Sequence, residues 1–152
     1  MAAPSLFHAF AQRVIGSSQG ALAAMTRGNL PPFCCVAAVV ERGDEVLFLR
    51  RSDGQGLCLP GGYMKMGEQP ADAIAREVAE ETGFIVQVGE LLDVLPDTAS
   101  PIKSVNVVYA CTILEGQLRS SSEGVPCWMP PARARSSLIE VSRRTLERRG
   151  LL

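Results

Sequence analysis

A chain of 152 residues with 47% hydrophobic and 20% charged side chains is long enough for one domain with a real core and too apolar for general disorder. Its formal net charge of -1 gives no global attraction to nucleic acid or to an anionic membrane surface. Its five cysteines are odd in number and include no Cys-x-x-Cys pair, which argues against a disulfide framework and a zinc ribbon and for small buried hydrophobes in a reducing compartment such as the cytoplasm.

Residues 1–32 form an N-terminal extension with a composition of its own. No acidic residue precedes Glu41, and Arg13, Arg27 and several serines are scattered among alanines. A transit peptide shares this bias and would place the chain in a mitochondrion or another organelle. Two arginines are few for such a leader, however, and Gly16 and Gly20 weaken a long helix. Leu6, Phe7, Phe10, Val14 and Ile15 make a short apolar stripe, read as an accessory helix that docks on the domain or on a second copy of the chain in a homodimer. His8, the only histidine, falls in this zone and away from any chemistry. No apolar run reaches the length of a membrane span, and Pro31-Pro32 closes the extension.

Residues 33–152 follow the pattern of a mixed α/β domain. Cys34 to Glu41 predicts a buried strand, with Cys34 and Cys35 on opposite faces. Arg42-Gly43-Asp44 predicts a turn and Glu45 to Arg51 the returning strand of a hairpin. After the break at Gly61 and Gly62 a helix is expected over 70–82, with Pro70 in its first turn and Gly83 at its stop. Ala71, Ile74, Ala75 and Val78 give that helix a face for the core. Phe84 to Leu95 reads as a strand bent at Gly89, Lys103 to Leu114 as a strong strand, and Val125 to Met129 as a short edge strand. Beyond Pro130-Pro131, helices are expected near 132–139 and 141–149. Arg133, Arg135, Arg143, Arg144, Arg148 and Arg149 outnumber Glu140 and Glu147 there; a solvated helix face is favoured over attraction to phosphate-rich ligands or RNA.

The chemistry concentrates between residues 62 and 84. Glu77, Glu80 and Glu81 fall beside the apolar face of the expected helix, within one turn of each other. Such carboxylates repel at neutral pH and weaken a helix unless a divalent cation lies between them. Their hard oxygen atoms suit magnesium or manganese and not zinc or copper. An ordinary amphipathic helix with a solvated acidic face is the plain alternative.

This segment resembles the signature of the Nudix hydrolases: Gly, five residues, Glu, seven residues, Arg-Glu, an aliphatic, any residue, Glu-Glu, any residue, Gly and an aliphatic. Gly62, Glu68, Arg76, Glu77, Val78, Glu80, Glu81 and Gly83 fill the fixed positions in register, with Phe84 in place of the last aliphatic. Leu59-Pro60-Gly61-Gly62 is similar to the strand end and turn that members place before it, although Leu57 stands where many carry Trp. The resemblance implies an α/β/α sandwich with a mixed β-sheet, spanning roughly 33–149. It also implies hydrolysis of the diphosphate linkage in a nucleoside diphosphate derivative by attack of water at phosphorus.

Carried over residue by residue, the resemblance makes Glu77 and Glu81 the best metal ligands, with the Gly62 carbonyl completing the shell. It makes Glu80 a third ligand or the base that takes a proton from water. Arg76 and Glu68 take a positioning role, Arg76 by ion pairing, most simply with Glu80. Some members supply a catalytic Glu from a loop close before a Trp. Here the nearest acid before Trp128 is Glu123, a spacing that departs from the pattern and favours a base within the box. Phe33, Tyr63, Tyr109 and Trp128 are candidates to stack on a nucleobase. No Ser-Gln-Pro-Trp element of the NADH pyrophosphatases follows the box. Nucleoside triphosphates, ADP-ribose-like sugars, dinucleotides and capped RNA stay open, with small nucleotides favoured. A Nudix-fold binding module without catalysis is the competing reading, against which the intact glutamates argue.

Overall fold

The structure, a computed structural model, describes residues 6–152, with side chains from Arg13 onward. The side chains of Leu6, Phe7, His8 and Phe10 therefore lie outside the described residues. Helix α1 (Leu6–Met25) runs unbroken through both of its glycines. Its contact with the rest of the chain accounts for Gly16, where a Cβ would come within 2.7 Å of the Pro101 carbonyl oxygen. One turn on, the Gln19 amide donates to the Lys103 carbonyl at 2.9 Å and accepts from the Lys103 N–H at 2.8 Å. It thereby pairs with backbone as a neighbouring strand would. Val14 and Ile15, expected in the docking stripe, are exposed instead. The helix approaches Pro101 too closely for branched side chains and rests on small and polar ones.

Strand β1 (Phe33–Val39) is bonded on both edges. Its flanking strands β5 (Gly61–Tyr63) and β7 (Ser104–Gly116) are respectively antiparallel and parallel to it, and β6 (Phe84–Asp97) completes a mixed sheet of order β5-β1-β7-β6. With both edges filled, β1 has none left for β3 (Glu45–Arg51), so the expected long hairpin between them does not form. Strand β3 folds back only on β2 (Glu41–Arg42) and founds a second, antiparallel sheet. Strand β8 (Gly124–Met129) takes one edge of β3; β2 and β4 (Leu57–Cys58) share the other. The register of β6 shifts between Val88 and Leu91 and again before Asp93, the bend expected at Gly89.

Helix α2 (Pro70–Thr82) covers one face of the mixed sheet. Ala73, Ile74 and Val78 pack there on Val36, Ala38 and Val40 of the β1 segment. The opposite face, through Ala37, Val39 and Val108, meets Phe48 and Leu57 of the second sheet together with Ala134 and Leu146 of the C-terminal helices. The layers are thus helix, mixed sheet, and a third layer of small sheet plus helices, an α/β fold of the expected class. The helix expected near 132–139 is only α3 (Pro131–Ala134) with a 3-10 turn over Arg135–Ser137. Leu138 then turns extended and bridges to Leu57, with the Ile139 N–H bonded to the Leu57 carbonyl at 2.9 Å. Helix α4 (Glu140–Arg148) follows. Among the described residues no helix is long and apolar enough to cross a membrane.

Candidate active site

The inward face of α2 is turned from the expected one. Ala71 is exposed, and the buried positions are Ala73, Ile74, Glu77, Val78, Glu81 and Thr82. Two of the box glutamates therefore lie on the face that packs, not beside it. Glu77 is 6% exposed and Glu81 2%, whereas the Glu80 side chain is 56% exposed. Among the described residues no three His, Cys, Asp or Glu side chains form one metal-sized cluster; the structure brings Glu77 and Glu81 to the interior and leaves Glu80 at the solvent side.

Strand β5 lies over this pair. The Gly61 N–H donates to Glu81 Oε2 at 2.8 Å. At Gly62 a Cβ would stand 2.8 Å from the Glu77 carboxylate, so only glycine lets the main chain come this close to the acid. Gly61 and Gly62, read from sequence as a break, are in fact a short strand paired with Ala37 and Val36.

Arg76 is the hub of the polar network. Its Nε and Nη2 donate to the two carboxylate oxygens of Glu68 at 2.8 and 2.9 Å, and Nη1 donates to Glu77 at 2.7 Å and to Glu80 at 3.3 Å. Nη2 also donates to the Tyr63 carbonyl at 3.2 Å. Glu68, reached from a loop eight residues earlier, is thus a closer partner than Glu80, because it meets the guanidinium fork with both oxygens. The hydrogen bonds from Arg76 and from the Lys65 N–H together hold the Glu68 carboxyl down at about 2, and Glu68 in turn raises the Arg76 guanidinium.

The inner pair is perturbed in the opposite sense. Burial pushes Glu81 up to about 8, with the charges of Glu123 and Glu77 adding to the rise and the Gly61 N–H opposing it. Burial also raises Glu77, against the pull of Arg76 and with Glu123 and Glu80 adding. Glu123, set aside by its spacing before Trp128, therefore acts electrostatically on both buried carboxylates. It reaches them because the Ser52 N–H bonds the Glu123 carbonyl at 2.8 Å, anchoring that loop beside the end of β3. The same strand end supplies Arg51, whose charge only opposes the rise that burial imposes on Glu81 and Tyr63, while its Nε donates to Asp53 at 3.0 Å. Nothing in the sequence pattern singled out Arg51; only the second sheet puts it here.

The aromatic candidates separate by exposure. Phe33 and Tyr63 form an exposed edge-to-face pair, centroids 5.9 Å apart, beside Gly62. Trp128 is covered by the Arg42 guanidinium at 4.2 Å and packs toward Phe84, and Tyr109 packs against the cluster under α2. All five thiols are free; Cys35, Cys58 and Cys111 are buried, Cys127 is half-buried and Cys34 is exposed. Burial pushes Cys35 and Cys111 up to about 11 and Cys58 to about 12, so none of these three is an activated nucleophile.

Residues 32–148 match the model of the NUDIX domain. The chain belongs to the NUDIX family. Over 108 residues it is 40% identical to a MutT-like protein of Streptomyces ambofaciens, a match covering 70% of this chain and 69% of that one. It is 30% identical over 99 residues to an ADP-ribose pyrophosphatase of Methanocaldococcus jannaschii, covering 62% of this chain and 59% of the relative. A NUDIX hydrolase from Nitrosomonas europaea superposes with a TM-score of 0.71 at 20% identity over 78% of this chain and 88% of the other, a likeness of fold. In this Nudix-type hydrolase the acidic side chains of the box come from α2 and the loop before it, with strand β5 laid over the buried pair.

Proposed function

We propose that this Nudix enzyme hydrolyses the diphosphate linkage of a small nucleoside diphosphate derivative with magnesium or manganese as its cofactor. The observation that carries the reading is Glu81, 2% exposed yet held beside Glu77 and within the field of Glu123. Buried acids of one sign are stable as carboxylates only when a cation joins them. The donor set fits a hard divalent ion: carboxylates, the carbonyl of a glycine with no Cβ in the way, and neither thiolate nor imidazole among them. Magnesium uses one or two carboxylates and keeps several waters, which agrees with two inner glutamates and a third at the solvent side.

In this reading Glu77, Glu81 and the Gly62 carbonyl hold the ion. When bound, the ion supplies charge neutralisation for the phosphate oxygens and makes water acidic enough to attack near neutral pH. Arg76 and Glu68 fix the Glu77 carboxylate in place. Glu80, accessible and tethered to Arg76, is the box candidate for the base that accepts the proton of the attacking water; Glu123 is the alternative from the loop. The bound ion meets the negative charge of the diphosphate, since Arg51 is already paired with Asp53, and the Phe33 and Tyr63 rings offer a surface for the base. That aromatic pair supports a nucleoside over a purely phosphorylated sugar, in keeping with the MutT-like and ADP-ribose pyrophosphatase relatives. Five free thiols suit the cytoplasm.

The test is a panel of nucleoside triphosphates, nucleotide sugars and dinucleotides, assayed with magnesium and then manganese and read as phosphate after a coupled phosphatase. Turnover that EDTA abolishes is expected; turnover unchanged in chelator would end the proposal.

A further inference from the structure

The main chain that carries Gly61 and Gly62 to the glutamates has little sheet of its own to hold it. Strands β4 and β5 are two and three residues long, and Leu59-Pro60 joins them outside either strand. Its peptide groups are secured one by one. The Leu57 carbonyl accepts from Ile139 N–H at 2.9 Å, the Pro60 carbonyl accepts from Ala38 N–H at 2.8 Å, and Gly61 N–H donates to Glu81. Between them stands Leu59, 3% exposed, whose N–H lies outside both short strands. It donates to Ser142 Oγ at 3.0 Å, across 83 residues of sequence. Ser142 is itself 3% exposed and sits on α4, a helix otherwise notable for surface arginines.

We propose that Ser142 is a positioning residue for the ion-binding pair. By accepting the Leu59 N–H it clamps the Leu59–Gly62 strap from the α4 side while Ala38 clamps it from β1. The two clamps set the height of Gly61 and Gly62 above α2, so that one meets Glu81 and the other lies against Glu77. The neighbouring hydroxyl gives a contrast within the same helix. Thr145 is fully buried, and among the described residues its Oγ1 is the buried side-chain polar atom without a hydrogen-bond partner. Thr145 therefore fills space where Ser142 holds the strap. The inference rests on the reading of Glu77 and Glu81 as ion ligands.

The experiment compares the full chain with Ser142→Ala and Thr145→Val. Amide hydrogen exchange at Gly61 is followed by NMR in metal-free protein, Mn2+ affinity by EPR, and turnover on the best substrate of the panel. Alanine is the best helix former, so the first variant should fold. Ser142→Ala should speed Gly61 exchange and weaken Mn2+ binding by about tenfold, the lower end of the range for lost outer supports of a metal site. Its kcat should fall in step with KM unchanged. Thr145→Val should stay within about twofold on every readout. Wild-type exchange and Mn2+ affinity in Ser142→Ala would overturn the proposal, and so would equal losses in Thr145→Val, which would reduce Ser142 to packing. If Ser142 controls Gly61 and Mn2+ while the wild type cleaves no diphosphate, the functional reading fails and the positioning role stands.

Discussion

Replacing Glu81 by Gln should make the metal-free protein more stable at high pH, and by an amount that depends on pH in a defined way. Burial lifts the Glu81 carboxyl from the ordinary 4.5 to about 8. Between those values the folded chain keeps a proton that the unfolded chain has released, so folding takes up a proton and stability falls as pH rises. Below 4.5 both states are protonated and the contribution is fully present; above 8 it is lost and a buried charge remains. At about 1.4 kcal/mol per unit the ceiling on the loss is on the order of 4 to 5 kcal/mol, and coupling to Glu77 and Glu123 brings the expected figure to about 2 to 4. Gln keeps the size and the acceptor for the Gly61 N–H but cannot titrate. Urea unfolding of both proteins in EDTA, from pH 5 to 8.5, should give curves that nearly coincide at the acid end and diverge toward the alkaline end with Gln above. Added Mg2+ should reverse the order near pH 8, because the ion replaces the proton only in the wild type. Parallel stability curves across the range would refute the assignment of Glu81 as a buried, charge-starved ligand.

Glu77→Gln should lower kcat by about a hundredfold, roughly 2.7 kcal/mol of transition-state stabilisation, while circular dichroism shows an intact fold. Gly62→Ala places a methyl where the Glu77 carboxylate lies, so calorimetric titration should show Mn2+ affinity falling at least about tenfold with the fold retained. Glu123→Gln removes a charge that helps raise Glu81 and Glu77; the Glu81 transition should move to lower pH and kcat should fall much less than in Glu81→Gln, an equal loss refuting a base within the box. Gln19→Ala removes both bonds to Lys103. It should loosen α1 by about 2 kcal/mol, seen as faster proteolysis within the helix, with kcat unchanged.

Helix α2 was legible to the residue because its signals are local: a proline at the start, a glycine at the stop and a 3.6-residue period between. The bounds of β3 were legible for a similar reason, since a turn and a run of apolar residues mark them. Strand partners were not. Whether β1 pairs with β3 or with β5 and β7 depends on which edges distant segments occupy, and hydrophobic alternation is silent on that. Polar contacts that replace backbone partners were equally hidden: Gln19 and Ser142 look like surface residues in sequence, yet each answers a peptide group more than 80 positions away. The site divides along the same line. Motif spacing brought Glu77, Glu81, Gly62, Arg76 and Glu68 together, while the approach of Glu123 and Arg51 required the second sheet.

A guanidinium has five N–H donors, and Arg76 directs them to Glu68 twice, Glu77, Glu80 and the Tyr63 carbonyl. It has no hand left for a substrate. Although Arg76 is the cation nearest the acidic centre by motif, it behaves as a strut, and a lysine in its place could not reproduce a planar five-point brace. Arg51 is committed as well, its Nε and Nη2 both turned to Asp53, so in the proposed reaction a polyanionic substrate must be received chiefly by the bound ion. Substrate affinity and ion occupancy become linked quantities: each should tighten the other by the same factor, as reciprocal binding equilibria require.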